Sequence, residues 1–270
     1  MPLAGAFPSN TGGKPSRGRF GPASITTALI IASVFMWASV MISDNMEALI
    51  QSFTVRGLWG FKNILWNKIN PDLNILVGVN GCGKSTLLAI IIDYYTHPED
   101  AVRNYEAVDA EPSVLPEGVK VVLLRPMDAL TGELGEYLSL ALATGSRFEQ
   151  VIALLDDLFS TTGKKAEVQD GNLVFHQMRQ VLSVDKLSTG EKQLLLVLLK
   201  VFLSQGAPAV ILLDEPEISL HISWQRRIVD VIRQLNPLCQ IFITSHSPSI
   251  FSSGWGDKVV YFEDIESDAL

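Results

Sequence analysis

The chain has 270 residues, 47% of them hydrophobic and 19% charged, which describes a globular protein with room for one large domain or two small ones. That composition excludes a disordered chain, a collagen-like repeat and a disulfide scaffold. Its two cysteines, Cys82 and Cys239, stand far apart in sequence, as expected in a reducing, cytoplasmic compartment. A formal net charge of −8 argues against a broad basic face that grips nucleic acid directly, because neutralising phosphates takes clustered Lys and Arg.

Residues 1–45 differ from the rest. Lys14, Arg17, Arg19 and Asp44 give them a net +2, which leaves −10 for the remainder. No charged residue occurs from Phe20 to Ser43, and the run Ala23 to Ile42 has about the length an α-helix needs to cross a bilayer. The basic residues precede this run and Asp44 and Glu47 follow it, a polarity that would send the body out of the cytosol.

An antiparallel strand pair is expected near Ile50–Gly57 and Ile64–Ile69, then a buried strand near 73–78. The last leads into GVNGCGKST and an apolar helix. Gly78, Gly83, Lys84 and Ser85 satisfy G-x-x-x-x-G-K-[ST], with Asn80, Gly81 and Thr86 in the same loop. Glycine lets backbone N–H groups curl around a phosphate, and the helix aims its positive end at the anion. Lys84 would reach the β- and γ-phosphates and Ser85 would ligate Mg²⁺. A chance glycine turn is the bland reading; the order of strand, loop and helix weighs against it. Cys82 reads as a small loop filler, not a nucleophile.

The stretch Asp93–Glu117 holds seven acids against Arg103, most simply a solvated surface and otherwise a docking site. A strand follows near 119–124, then helices at roughly Gly132–Ala143 and Arg147–Phe159. In LSTGEKQLLLVLLKVFL, Ser188, Thr189 or both can cap a helix, Gly190 gives close backbone access and Glu191 lies in the first turn. A plain helix cap is an equal reading of that run taken alone. The buried strand 209–213 ends in Asp214 and Glu215 at the carboxyl edge of a parallel sheet. Asp214 would organise Mg²⁺ and Glu215 would orient or deprotonate an attacking water. Another strand, 240–244, ends at Ser245-His246-Ser247-Pro248, where a histidine can sense a γ-phosphate or serve as a structural hydrogen-bonding residue. Trp224, Ile228, Val231 and Leu235 fall at helical spacing and read as core, and a last strand is expected near 258–262.

The runs GVNGCGKST, LSTGEKQ, ILLDEPEISLH and ITSHSP, in that order over residues 48–265, resemble an ABC-type ATPase, most closely the RecF/OLD-like group of AAA family ATPases. The resemblance implies an α/β fold: a P-loop NTPase head with a mostly parallel central sheet, an N-terminal antiparallel β lobe and an inserted helical lobe at about 127–186. It further implies that two ATP molecules are sandwiched in a homodimer. Gly78–Thr86 would bind nucleotide in cis, Ser188 and Gly190 would contact its γ-phosphate in trans, Glu215 would be the catalytic base and His246 the switch histidine. After the strand at 119–124, where the family often places a Q-loop glutamine, stands Arg125-Pro126-Met127, so no Q-loop is assigned.

ATP is a cytosolic ligand, which conflicts with the polarity of the N-terminal run. Met46 resolves this by opening a domain start, MEALIQSFTVRGLWGFKNI, so that residues 1–45 read as an upstream mis-start; an anchor, a packed helix and a cleaved segment are the other readings. The expected function is Mg²⁺-dependent ATP hydrolysis that drives or licenses a separate, nuclease-like effector in DNA repair or anti-phage defence. Nucleic acid would then be met through that partner. The alternative is the ATP-binding subunit of a membrane transporter. For the adenine, Phe61 and Trp66 are the aromatic candidates.

Overall fold

In the computed structural model the described residues are 47–97, 104–107, 109–252 and 254–267. They belong to one unit, Ser39–Leu270. The uncharged run 23–42 lies outside the described residues. Among those described, no helix is long and apolar enough to cross a membrane.

The chain opens with an antiparallel pair, β1 (Phe53–Leu58) and β2 (Lys62–Trp66), followed by β3 (Leu73–Val77) and helix α1 (Lys84–Thr96). Strands β4 (Asp109–Pro112) and β5 (Lys120–Leu124) precede the helices α2 (Glu133–Leu142) and α3 (Glu149–Leu158). A meander follows, β6 (Lys164–Gln169), β7 (Asn172–Gln177) and β8 (Gln180–Ser183), and then the long helix α4 (Thr189–Phe202). The remainder is β9 (Ala209–Asp214), α5 (Ile222–Gln225), α6 (Ile228–Leu235), β10 (Cys239–Thr244), α7 (Pro248–Phe251), β11 (Val259–Tyr261), α8 (Phe262–Ile265) and β12 (Glu266–Ser267).

The central sheet runs β11-β3-β10-β9-β5 and is parallel throughout. A second, antiparallel sheet, β12-β2-β1-β4, forms the β lobe. Central strands buried on both faces alternate between two cores. Leu73, Ile75, Ile211, Leu213, Ile241 and Ile243 face one core together with α3, α4 and α6. Leu76, Val210, Leu212 and Phe242 face the other, with α1 and the β lobe. Thus α1 and α4 cover opposite faces of the sheet.

Two sequence expectations change. The segment 127–186 is not helical throughout, because its last third is the β6–β8 meander. The periodicity of 224–235 spans two helices, α5 and α6, since both pieces turn their apolar side to the same core across a break at Arg226 and Arg227. Trp224 is core as expected: its Nε1 donates to the Leu158 carbonyl at 2.9 Å, and its ring lies 5.6 Å from that of Phe159. In the acidic stretch Asp109 and Glu111 sit on β4, where Arg56 of the neighbouring strand pairs with both.

Candidate nucleotide site

Strand β3 ends at the phosphate loop. Gly83 has φ of 120°, a region that favours glycine, and a Cβ there would stand 3.1 Å from the Phe262 ring and 3.2 Å from Trp59. Both demands come from this chain's own folding. Gly83 caps α1 without any side-chain hydrogen bond, and no acid lies in the first turn, so the helix presents its N–H groups and positive end unblocked. Asn80, Gly81 and Ser85 are exposed, Gly78 and Thr86 half-buried, and Lys84 buried. The Lys84 ammonium curls back onto the loop and donates to the carbonyls of Gly78 and Val79, 3.0 Å each.

Strand β10 brings the second half of the site beside the first. Its last residue, Thr244, stands in register with Asp214 of β9, and the next, Ser245, donates its N–H to Leu76 of β3 at 3.1 Å. The Thr244 hydroxyl donates to Asp214 Oδ1 at 2.6 Å and accepts from the Glu215 N–H at 3.0 Å. Glu215 adopts a left-handed backbone, φ 41° and ψ 54°, unusual for glutamate and held by that bond and by one to the Thr244 carbonyl at 3.1 Å. In this conformation Glu215 Oε1 lies 3.4 Å from His246 Nε2, both side chains part-exposed. A serine hydroxyl and a carboxylate, Ser85 and Asp214, make a hard oxygen donor set that suits Mg²⁺, an ion that takes few protein ligands and fills its sphere with phosphate oxygens and water.

Ser188 and Gly190 sit at the start of α4. Ser188 is the cap: its hydroxyl accepts from the Glu191 N–H, and the Glu191 carboxylate accepts from the Ser188 N–H at 2.9 Å, a capping box. Glu191 is buried and its other oxygen meets Lys164 of β6 at 2.8 Å. Burial pushes this carboxyl up, but Lys164 and the Ser188 donors outweigh it and hold it below its ordinary value. A Cβ at Gly190 would lie 2.5 Å from the Ser219 carbonyl oxygen, so glycine is demanded by the loop after β9 in the same chain. Ser188 and Gly190 border an open cleft of about 520 Å³ shared with Ser219, His221 and Trp224.

Arg125-Pro126-Met127 does occupy the turn after β5, and Gln193 of α4 holds it, donating to the Arg125 carbonyl at 2.6 Å and accepting from the Ala129 N–H at 3.1 Å. Of the aromatic candidates, Trp66 is buried against Phe242, ring centroids 5.5 Å apart, and is closed to a base; Phe61 is 73% exposed. Two rings meet the phosphate loop: Phe262, which is buried, and Trp59, half-buried in the β1–β2 turn 6.3 Å from Phe61. Sequence reasoning missed Trp59, whose seven-residue spacing from Trp66 does not tell which indole faces the loop.

A glycine loop at a helix start, with two acids and a histidine on neighbouring strand ends of a parallel sheet, is the arrangement expected of an ABC-type ATPase. The family described as "AAA domain, putative AbiEii toxin, Type IV TA system" matches residues 121–252. The "Uncharacterized ABC transporter ATP-binding protein YmeB" of Lactococcus lactis subsp. lactis (strain IL1403) is 25% identical over 203 residues, 70% of this chain and 72% of the relative. The "ABC transporter ATP-binding/permease protein Rv1747" of Mycobacterium tuberculosis (strain ATCC 25618 / H37Rv) is 26% identical over 178 residues, 65% of this chain but only 19% of the relative. Among solved structures, the SmcHead bound to the C-winged helix domain of ScpA superposes with a TM-score of 0.50 at 12% identity, covering 76% of this chain and 91% of that one, a likeness of fold. These likenesses support an ATPase of the ABC-type AAA kind, with ATP hydrolysis as the activity they point to.

Proposed function

We propose that two copies of this chain close over two ATP molecules, that hydrolysis needs the closed dimer, and that closure licenses a separate effector of the RecF/OLD-like kind in DNA repair or anti-phage defence. One observation carries the reading. The phosphate-loop helix α1 and the signature helix α4 cover opposite faces of one sheet, so the Ser188 end of a chain meets a γ-phosphate across an interface with a second copy. The toxin-system description of the matching family supports the defence setting.

Within this reading the α1 N-terminus and Lys84 bind the phosphates, Ser85 and Asp214 hold Mg²⁺, and Ser188 and Gly190 of the second copy cover the γ-phosphate. Mg²⁺, when bound, neutralises charge on the β- and γ-oxygens. Glu215 takes the proton of the attacking water or orients it, and its αL backbone turns the carboxylate toward His246. Thr244 fixes both acids at once, through its hydroxyl to Asp214 and its carbonyl to the Glu215 N–H.

The names of the two relatives favour a second reading, an ATP-binding subunit coupled to a membrane permease. Glu215→Gln separates the two. Under the proposal the variant binds ATP, turns over slowly and accumulates as a dimer in light scattering, and from its native host it co-purifies with a soluble nuclease-like protein. Wild-type turnover would remove Glu215 from the base role, and recovery of a membrane-spanning permease would favour transport.

A further inference from the structure

We propose that Glu217 is a positioning residue: its carboxylate sets the turn 245–247 so that His246 faces Glu215. One oxygen of Glu217 collects three donors from consecutive residues, the Ser245 hydroxyl at 2.9 Å, the His246 N–H at 2.5 Å and the Ser247 N–H at 3.2 Å. Successive N–H groups that converge on one point form an anion-holding nest. Here the chain fills that nest with its own carboxylate, delivered from the loop after β9, two residues beyond Glu215.

Helix α5 supplies a second brace. Gln225 is buried and accepts from the Ser247 hydroxyl at 2.9 Å while donating to the Leu220 carbonyl at 2.8 Å. On its other side the turn is fastened by the Ser245 N–H to Leu76, beside the phosphate loop. The His246 side chain is part-exposed, and among the described residues its imidazole approaches Glu215 at 3.4 Å. Its direction is therefore set through its backbone, and the Glu217 carboxylate is the group that holds that backbone. The other Glu217 oxygen is buried and finds no partner among the described residues, so the carboxylate is committed to this turn and not to solvent. A charged acceptor makes the stronger hydrogen bonds such a commitment needs.

This inference rests on the role proposed for His246, and the test separates the two. Steady-state turnover is measured for Glu217→Ala and Glu217→Gln, in the wild type and in a His246→Ala background. Displacing a reacting group by an ångström can cost on the order of 100-fold, so Glu217→Ala should lower kcat by about that factor and leave KM for ATP within about threefold. Glu217→Gln keeps the acceptor oxygen and should recover most of the loss. In the His246→Ala background, Glu217→Ala should cost nothing further. An equal cost in both backgrounds, or unchanged turnover in the wild type, overturns the proposal. Should Glu217→Ala not fold, Ser245→Ala removes one donor alone and should show the same kcat-only loss at about tenfold. Should His246→Ala turn over like the wild type, the histidine's chemical role fails first. The positioning claim is then decided by the labelled-histidine NMR signal of residue 246: a shift in Glu217→Ala supports it, and an unmoved signal overturns it.

Discussion

Lys84 shows what a side chain here exchanges on binding. Its ammonium is satisfied by two neutral carbonyls of its own loop, and in the proposed reading a phosphate would replace them with charged oxygens that make stronger bonds. The motif spacing put Asp214 and Glu215 at the end of β9 and Lys84 at the start of α1, elements whose hydrophobic runs are easy to read. The indoles were not legible in that way. Trp59 sits in a turn at φ 55° against Gly83, whereas Trp66 is a core residue of β2. Trp59→Ala should weaken ATP binding about tenfold in a calorimetric titration, the worth of one base–aromatic stack. Trp66→Ala should instead cost about 3–5 kcal/mol of stability. Lower affinity in the folded Trp66→Ala protein, with Trp59→Ala unaffected, would contradict this placement. Nothing in the sequence announces the left-handed Glu215, which is imposed by Thr244 on the neighbouring strand.

At the scale of elements, the β6–β8 meander had a visible signal. Asp170-Gly171 separates two alternating runs, and both residues have positive φ, 49° and 78°, as a two-residue hairpin turn requires. Its second turn carries Met178 at φ 54° with no glycine, so sequence chemistry is silent there. The meander matters because it delivers Lys164 to Glu191, so the cap of the signature helix depends on an ion pair from a distant strand. Lys164→Ala leaves a buried carboxylate without its cation and should destabilise the protein by about 3 kcal/mol in urea unfolding. Lys164→Met with Glu191→Gln should restore most of that. Glu191 and Asp72 are both held below their ordinary values; burial alone would raise each, and Lys164 for the first, and Lys258 with Arg233 for the second, more than offset it. A depressed folded value means the stabilisation is complete above the unfolded carboxylate range, about pH 4, and is lost as pH falls through the lower folded values. Stability should therefore decline below about pH 4, less steeply in the doubly substituted protein; an equally steep decline would contradict the role given to Glu191.

For the whole molecule, the fold follows from strand order. Placing β10 between β3 and β9 brings the phosphate loop, the two acids and His246 to one edge, and burying both faces of the sheet puts the signature helix on the side away from α1. The continuous apolar runs made the parallel sheet readable, but the β4 partnership with β1 was hidden in a stretch read only as acidic surface. In the proposed reading, opposite placement of the two helices makes the dimer the catalytic unit, so the direct test is specific activity against protein concentration. With Mg²⁺ and saturating ATP, the account predicts turnover per chain that rises with concentration and levels off where light scattering reports a dimer. Turnover per chain that stays constant at every dilution, from a protein that remains monomeric with a non-hydrolysable ATP analogue, would contradict it.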